Sequence, residues 1–212
     1  MTAQIDDQVL LDDDEESWSL SAVDGGPLFD PSSVGLSPVM ISTACWRGWY
    51  AHYRVRDERL TVDRLDVGLD GEDAERAVAG TGPLVGGRPP TKRSYSGKVW
   101  KDGVWVEGTF EEIEWTWAGL ALPVPFTGGM LVSRGFLREL YVHMGFHPAW
   151  KYEHTVELVL REGQVVERRD VSASMAALRA ELAGRDAPGT AERRRIEAWV
   201  EGAFSRRYPG LH

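Results

Sequence analysis

The sequence predicts a mainly β (α+β) protein: an antiparallel β-barrel or strongly curled sheet, followed by two amphipathic helices at the C-terminus. Stretches in which apolar and polar residues alternate recur between residues 39 and 171, and a period of two is typical of half-buried strands. Short turns join these stretches, which favours antiparallel pairing. From residue 172 the apolar residues follow the helical period. We therefore expect an acidic, largely irregular arm at residues 1–38, a β domain at 39–171, and two helices packed on it at 172–212.

The clearest hairpin lies between Ser42 and Leu69. Its first strand places four apolar or aromatic residues on one face: Trp49, Ala51, Tyr53 and Val55. After a turn at Asp57-Glu58 the alternation resumes, but its parity changes near Asp63-Arg64. A change of parity within a strand predicts a β-bulge at that point.

The next residues, 70–91, are rich in Gly and Pro and are predicted to be a loop, although Glu72–Ala79 has some helical character. A second hairpin follows, with its turn at Lys101-Asp102-Gly103. Residues Phe110–Trp117 alternate between an apolar and a polar face, which predicts a strand with one side in solvent. Two prolines within Leu120–Phe126 favour an edge strand or a loop there.

Two more short strands are predicted on either side of a turn near Ser133–Gly135, and the second of them includes Tyr141 and His143. A third clear hairpin spans Tyr152 to Val171, with its turn at Glu162-Gly163. We therefore expect roughly eight to ten strands, closed into a barrel or folded as a sandwich so that their edges are protected.

The last forty or so residues contain two helical patterns. Met175, Leu178 and Leu182 share one face of the first. The second carries a wider apolar stripe, formed by Ile196, Trp199, Val200, Ala203 and Phe204. Such amphipathic helices cover a sheet or a barrel mouth, and the alternative is that they present the stripe to a partner.

Charge is concentrated at the N-terminus. Residues 1–24 hold eight of the 33 carboxylates and none of the 24 Lys and Arg residues, so the rest of the chain is nearly neutral. An uncompensated acidic run is typical of a mobile arm. The nearly neutral body argues against nucleic-acid binding, which requires a basic face. No apolar run has the length of a membrane helix, and the acidic start differs from a secretory signal, so we expect a cytoplasmic protein.

Two segments resemble a group of small bacterial proteins of unassigned function. The first is Ser42–Leu65, in which Ser42–Gly48 reads STACWRG and is followed by an aromatic residue, and the second is Phe126–Val166, in which Tyr141–Phe146 reads YVHMGF. The resemblance covers about a third of the chain. It implies kinship and brings no activity, cofactor or site residue with it.

No catalytic, metal or cofactor motif stands out. His143, His147, His154 and Glu153 are residue types that bind divalent metals, but along a strand His143 and His147 would lie about 13 Å apart. Cys45 beside Arg47 is a candidate nucleophile, although a lone cysteine among strand residues is more often buried. Glu112 and Glu114 lie at glycosidase-like spacing on a face predicted to be solvated.

Two classes of function follow from these patterns. The first is a non-enzymatic interaction protein of the bacterial cytoplasm, an accessory or immunity-type partner, that binds another protein or a second copy of itself. Its contact residues would lie in the arm and the C-terminal helices: Trp18, Leu20, Trp199, Val200 and Phe204. The alternative is a small-molecule-binding or enzymatic barrel with a tryptophan-lined pocket: Trp49, Tyr53, Trp115, Tyr141 and His143.

Overall fold

The computed structural model describes residues 2–24, 26–183, 206 and 208. In these ranges the chain is mainly β, and the elements below are numbered in chain order. The strands are β1 (Gln8–Leu11), β2 (Trp18–Val23), β3 (Trp49–Arg56), β4 (Arg59–Gly68), β5 (Thr91–Lys101), β6 (Val104–Pro123), β7 (Gly128–Phe136), β8 (Tyr152–Arg161) and β9 (Gln164–Asp170). The helices are α1 (Gly71–Val78) and α2 (Ser172–Ala183), with short 3₁₀ helices at Pro31–Val34, Arg138–Leu140 and Ala149–Lys151. Among the described helices, none is long and apolar enough to cross a membrane.

Two compact units divide the chain. The first contains Met1–Phe29, His52–Val62 and Ala121–His212, and the second contains Asp30–Ala51 and Asp63–Leu120. The boundary at Val62/Asp63 coincides with the position where the sequence predicts a change of parity in β4. Leu60 and Val62 are buried before it, and Leu65 and Val67 are buried after it.

A closed seven-stranded barrel forms in the first unit, so the predicted barrel is confirmed. The strand order is β3-β1-β2-β7-β8-β9-β4, and pairing between β3 and β4 closes the ring. The pairs β1–β2, β2–β7, β7–β8, β8–β9 and β9–β4 are antiparallel, whereas β1 runs parallel to β3. Closure leaves no unpaired strand edge within the ring.

Alternating residues of these strands form the interior of the barrel. Val9 lies opposite Tyr53, and Met130 lies opposite Leu158. All four side chains are buried. Burial of an aliphatic side chain of this size stabilises the fold by about 1.5–3 kcal/mol, which explains why strict alternation in the sequence is sufficient to specify the strands.

A second apolar layer covers the outer face of β2, β7 and β8. Its buried members are Ala22, Leu131, Ala149, Val171 and Met175, with Trp150 and Tyr208 packed against them. Helix α2 joins this layer through Met175, whereas Leu178 of the predicted apolar face remains exposed. The second predicted helix, with Trp199, Val200 and Phe204, lies outside the described residues.

The expectation that residues 1–38 form an irregular, mobile acidic arm is wrong for β1 and β2. Both are strands of the barrel. The physical reason is that bases far away in the sequence compensate the acidic run. The ion pairs are Asp7–Arg206, Asp12–Arg168, Asp13–Arg56 and Asp14–Arg134. A count of local charge finds no base in residues 1–24 and therefore overstates the repulsion, because four of the eight carboxylates have an arginine within 4.0 Å in the folded chain.

In the second unit, β6 pairs with both β4 and β5. Residues 104–123 form one continuous strand, β6, where the sequence predicted a strand followed by an edge or loop.

Helix α1 forms where a loop was favoured, because Glu72 and Asp73 in its first turn and Arg76 in its last turn match the helix dipole. Gly48, the last residue of the Ser42–Gly48 motif, packs directly against the backbone of Val39. A Cβ at Gly48 would lie 2.4 Å from the carbonyl oxygen of Val39.

Candidate functional site

A group of aromatic and basic side chains lies where β7 leaves the barrel. We call it the histidine–aromatic cluster, and it consists of Phe136, Tyr141, His143, His147, Lys151 and Tyr152. It contains two of the predicted ligand-binding residues, Tyr141 and His143. All of its members belong to the first unit.

The segment that follows β7 is a loop, so the strand predicted through Tyr141 and His143 is wrong. Between Leu137 and Tyr141 the chain closes local backbone hydrogen bonds: the amide of Leu140 donates to Leu137, and the amide of Tyr141 donates to Arg138. Local bonds of this kind close a 3₁₀ turn and leave no ladder for a partner strand. The turn allows Tyr141 to approach side chains on either side of it in the sequence.

Ring contacts hold the cluster together. The ring centroid of His147 lies 4.6 Å from that of Phe136 and 5.3 Å from that of Tyr141. Phe136 meets Tyr152 edge to face at 5.3 Å. On the solvent side, the hydroxyl of Tyr141 and Nδ1 of His143 share a hydrogen bond of 2.9 Å. Aromatic contacts at these separations each contribute about 0.5–1.5 kcal/mol beyond the area that they bury.

His147 is buried in the cluster, with 9% of its surface exposed. Its Nδ1 atom is buried and has no hydrogen-bond partner among the described residues. Burial lowers the pKa of His147 to about 4, and the nearby charge of Lys151 acts in the same direction. His147 is therefore a neutral imidazole at pH 7, with one ring nitrogen available to a ligand.

Lys151 is 6% exposed, and burial lowers its pKa. Its backbone is fixed by two hydrogen bonds, one from its amide to Pro148 and one from the amide of Leu137 to its carbonyl oxygen. The ammonium lies 5.4 Å from the ring centroid of Trp150. Within the described residues, no carboxylate or other acceptor pairs with it. The Lys151 side chain is thus largely buried, but its ammonium is not among the fully buried polar atoms that lack a partner.

A polar network borders the cluster and connects it to the N-terminal strands. The hydroxyl of Tyr152 donates to Oδ2 of Asp6 at 3.3 Å, and burial together with the Asp6 charge raises the pKa of Tyr152. Arg206 donates to Asp7 at 2.7 Å and lies 3.8 Å from the ring centroid of Phe146. The residues just before β1 thus contribute two carboxylates beside the cluster.

The other predicted ligand-binding residues do not join this cluster. Tyr53 is buried inside the barrel on β3. Trp49 and Trp115 belong to the second unit. The Arg47 guanidinium lies 4.4 Å from the Trp49 ring centroid, and Trp115 is buried. The structure does not show the five residues as the lining of a single pocket.

The predicted partner-binding residues of the arm are structural. Trp18 and Leu20 are buried on β2, so neither presents a surface to a partner. The indole nitrogen of Trp18 donates to Asp14 at 2.8 Å, and the Arg134 guanidinium lies 4.3 Å from its ring centroid. The predicted residues of the C-terminal stripe, Trp199, Val200 and Phe204, are not among the described residues.

Two of the remaining candidates for chemistry, Cys45 and Glu114, are buried in the second unit. Glu114 accepts a 2.7 Å hydrogen bond from the hydroxyl of Tyr50, so the face predicted to be solvated is covered at this position. Asp66 accepts hydrogen bonds from Arg64 and Thr116. Cys45 is buried, and its thiol donates to the carbonyl oxygen of Trp49 at 3.4 Å. The two buried carboxylates thus accept hydrogen bonds from neighbouring side chains, as buried carboxylates in folded proteins usually do.

Sequence reasoning missed an apolar surface at the turn between β5 and β6. The exposed fractions of Val104, Trp105 and Val106 are 56%, 64% and 37%. We call these three residues the hairpin tip. The place of Trp105 just after the Lys101-Asp102-Gly103 turn is the signal that could have found this surface.

In the described ranges, no group of three or more His, Cys, Asp or Glu side chains is arranged to hold a metal ion. No protein-family model matches the chain, and comparisons with curated proteins and with solved structures also gave no match. The resemblance of the Ser42–Gly48 and Tyr141–Phe146 segments to small bacterial proteins therefore stays a prediction.

Proposed function

We propose that the chain is a non-enzymatic interaction protein of the bacterial cytoplasm, an accessory or immunity-type partner, which binds another protein through the hairpin tip. The observation that carries this proposal is the exposure of Trp105 between two exposed valines. Tryptophan is enriched among the residues that supply most of the binding energy of protein interfaces. A partner would bury it in a pocket and surround it with weaker contacts.

The hairpin carries charges of both signs. Strand β5 has four basic residues and no acid: Lys92, Arg93, Lys98 and Lys101. Strand β6 has four acids and no base, and Lys98 lies opposite Glu107. The charges of the two strands therefore offset each other, and the apolar tip is the feature that a partner would bind.

The test is to replace Trp105 by serine and to purify the full chain from its own host at native expression. We expect the wild-type chain to retain a stoichiometric protein partner and Trp105→Ser to lose it. Val166→Ser is the matched control, because Val166 is 53% exposed on β9 and far from the tip in sequence.

Sedimentation of the purified chain distinguishes a second copy from a different protein. A dimer that Trp105→Ser dissociates would identify the partner as the same chain. If the wild-type protein is monomeric and purifies alone, or if both variants retain the partner equally, the proposal is wrong. If substitutions in the Trp199–Phe204 stripe release the partner and Trp105→Ser does not, the interface lies in the C-terminal region instead of at the tip.

A small-molecule site is the second candidate function. The predicted pocket of five residues does not support it, but the histidine–aromatic cluster does, because it combines a largely buried lysine side chain with an unpartnered ring nitrogen.

A further inference from the structure

We propose that the histidine–aromatic cluster binds the carboxylate of a small organic acid that has a flat apolar body, with Lys151 and His147 as the polar contacts. This site is independent of the hairpin tip, which belongs to the second unit. It holds whether or not the protein also binds a partner.

Lys151 and His147 both lack a hydrogen-bond partner for a polar side-chain atom among the described residues. Nδ1 of His147 is buried without a partner, and the contacts of the described residues give the ammonium of Lys151 no acceptor. A ligand that supplies acceptors to both groups lowers the free energy of the site. Lys151 is 6% exposed and His147 is 9% exposed, so both are held inside the cluster. A carboxylate supplies an acceptor for the ammonium and a second acceptor for an N–H at Nδ1 of His147.

Aromatic rings surround His147 on two sides. Phe136 contacts His147 from the side of the barrel, and Tyr141 contacts it from the loop. Tyr141 is 51% exposed, so it separates His147 from solvent without being packed in the core. Aromatic walls with few polar contacts are typical of small-molecule sites and favour an acid with a ring or another flat apolar body.

The amount of positive charge also bears on the ligand class. One ammonium beside a neutral imidazole matches a single negative charge. A phosphate dianion is usually bound by several basic groups or by a helix N-terminus, and the cluster has neither. Asp6 lies on the far side of Tyr152 and adds negative charge, which also disfavours a dianion.

The test uses benzoate with the full chain, and NMR of the histidine rings reports binding. We expect benzoate, added up to about 50 mM, to shift the His147 ring signals and to raise the pKa of His147, because a bound anion stabilises the imidazolium. The titratable groups near His147 are Lys151 and, through Tyr141, His143. Asp6 contributes through Tyr152. Benzamide has the same shape without the charge and should bind roughly tenfold to a hundredfold more weakly.

Substitutions of lysine test whether Lys151 contacts the carboxylate of benzoate. Lys151→Met should weaken benzoate binding by about tenfold or more, whereas Lys101→Met, which removes an exposed lysine of the hairpin, should leave it unchanged. If Lys151→Met fails to fold, the comparison of benzoate with benzamide on the wild-type chain decides the question.

Three results would overturn the proposal. One is that benzoate leaves the His147 signals unchanged, and another is that benzamide binds as well as benzoate. The third is that inorganic phosphate binds at the cluster more tightly than benzoate, which would make the ligand class an inorganic oxyanion. A Trp105→Ser variant that loses its partner and still binds benzoate would separate this site from the proposed function.

Discussion

Replacing Leu20 by alanine tests whether the acidic N-terminal region belongs to the barrel. Leu20 is 2% exposed on β2 and lies opposite Val132 of β7. The substitution removes three carbons, which contribute about 2.4 kcal/mol at about 0.8 kcal/mol each. The cavity left behind adds to this cost, so we expect the free energy of unfolding to fall by about 3–4 kcal/mol.

The matched control is Leu10→Ala, the same chemical change at a half-buried position on β1. We expect it to cost about 1 kcal/mol or less, because little apolar area is lost from the interior. Urea unfolding followed by circular dichroism and by tryptophan fluorescence measures both variants. For a chain of this size, the Leu20 variant should also melt about 6–16 °C lower than the wild-type protein.

The reasoning is refuted if the two variants differ by less than about 0.5 kcal/mol. That result would mean that β2 is detached in solution and that the acidic region is the mobile arm that its composition predicts. A large effect of Leu10→Ala alone would also contradict the assignment of faces on β1.

Two further predictions concern buried charge. Asp7→Asn should lower the free energy of unfolding by about 3–5 kcal/mol, because it leaves Arg206 buried without its counter-ion. Chemical denaturation should show that adding Arg206→Met to this variant restores part of the loss, and an unchanged double mutant would contradict the role of the pair. The folded-state pKa of His147 is about 4, below its ordinary value of 6.5, so the unfolded chain takes up a proton first as the pH falls. Stability should therefore be fully present above pH 6.5 and decrease by up to about 3 kcal/mol on going down to pH 4, and His147→Phe should flatten this part of a stability–pH curve.

Much of the fold could be predicted from local patterns. The hairpins β3–β4, β5–β6 and β8–β9 each combine an alternating pattern with turn residues such as Asp102-Gly103 and Glu162-Gly163. Alternation is a local property because each residue of a strand faces either the core or the solvent. The parity change in β4 was visible for the same reason, and it marks the boundary between the two units.

The candidate site was only partly predictable. Tyr141 and His143 were identified as ligand-binding residues, but as members of a strand and together with Trp49, Tyr53 and Trp115. His147 was considered only as a metal ligand, and Lys151 was not considered. No local signal distinguishes a buried lysine from an exposed one, because burial depends on what packs over the residue.

Local patterns in the sequence establish that the protein is mainly β, that its sheet is arranged in hairpins, and that a helix follows the last strand. The role of residues 1–24 depends on the tertiary structure. Their carboxylates look uncompensated in the sequence, but Arg56, Arg134, Arg168 and Arg206 are brought to them by the closure of the barrel. Charge pairing between distant residues depends on the whole topology, and no window of the sequence contains it. The same reason explains why Trp18 and Leu20 were expected at a surface and are found in the core.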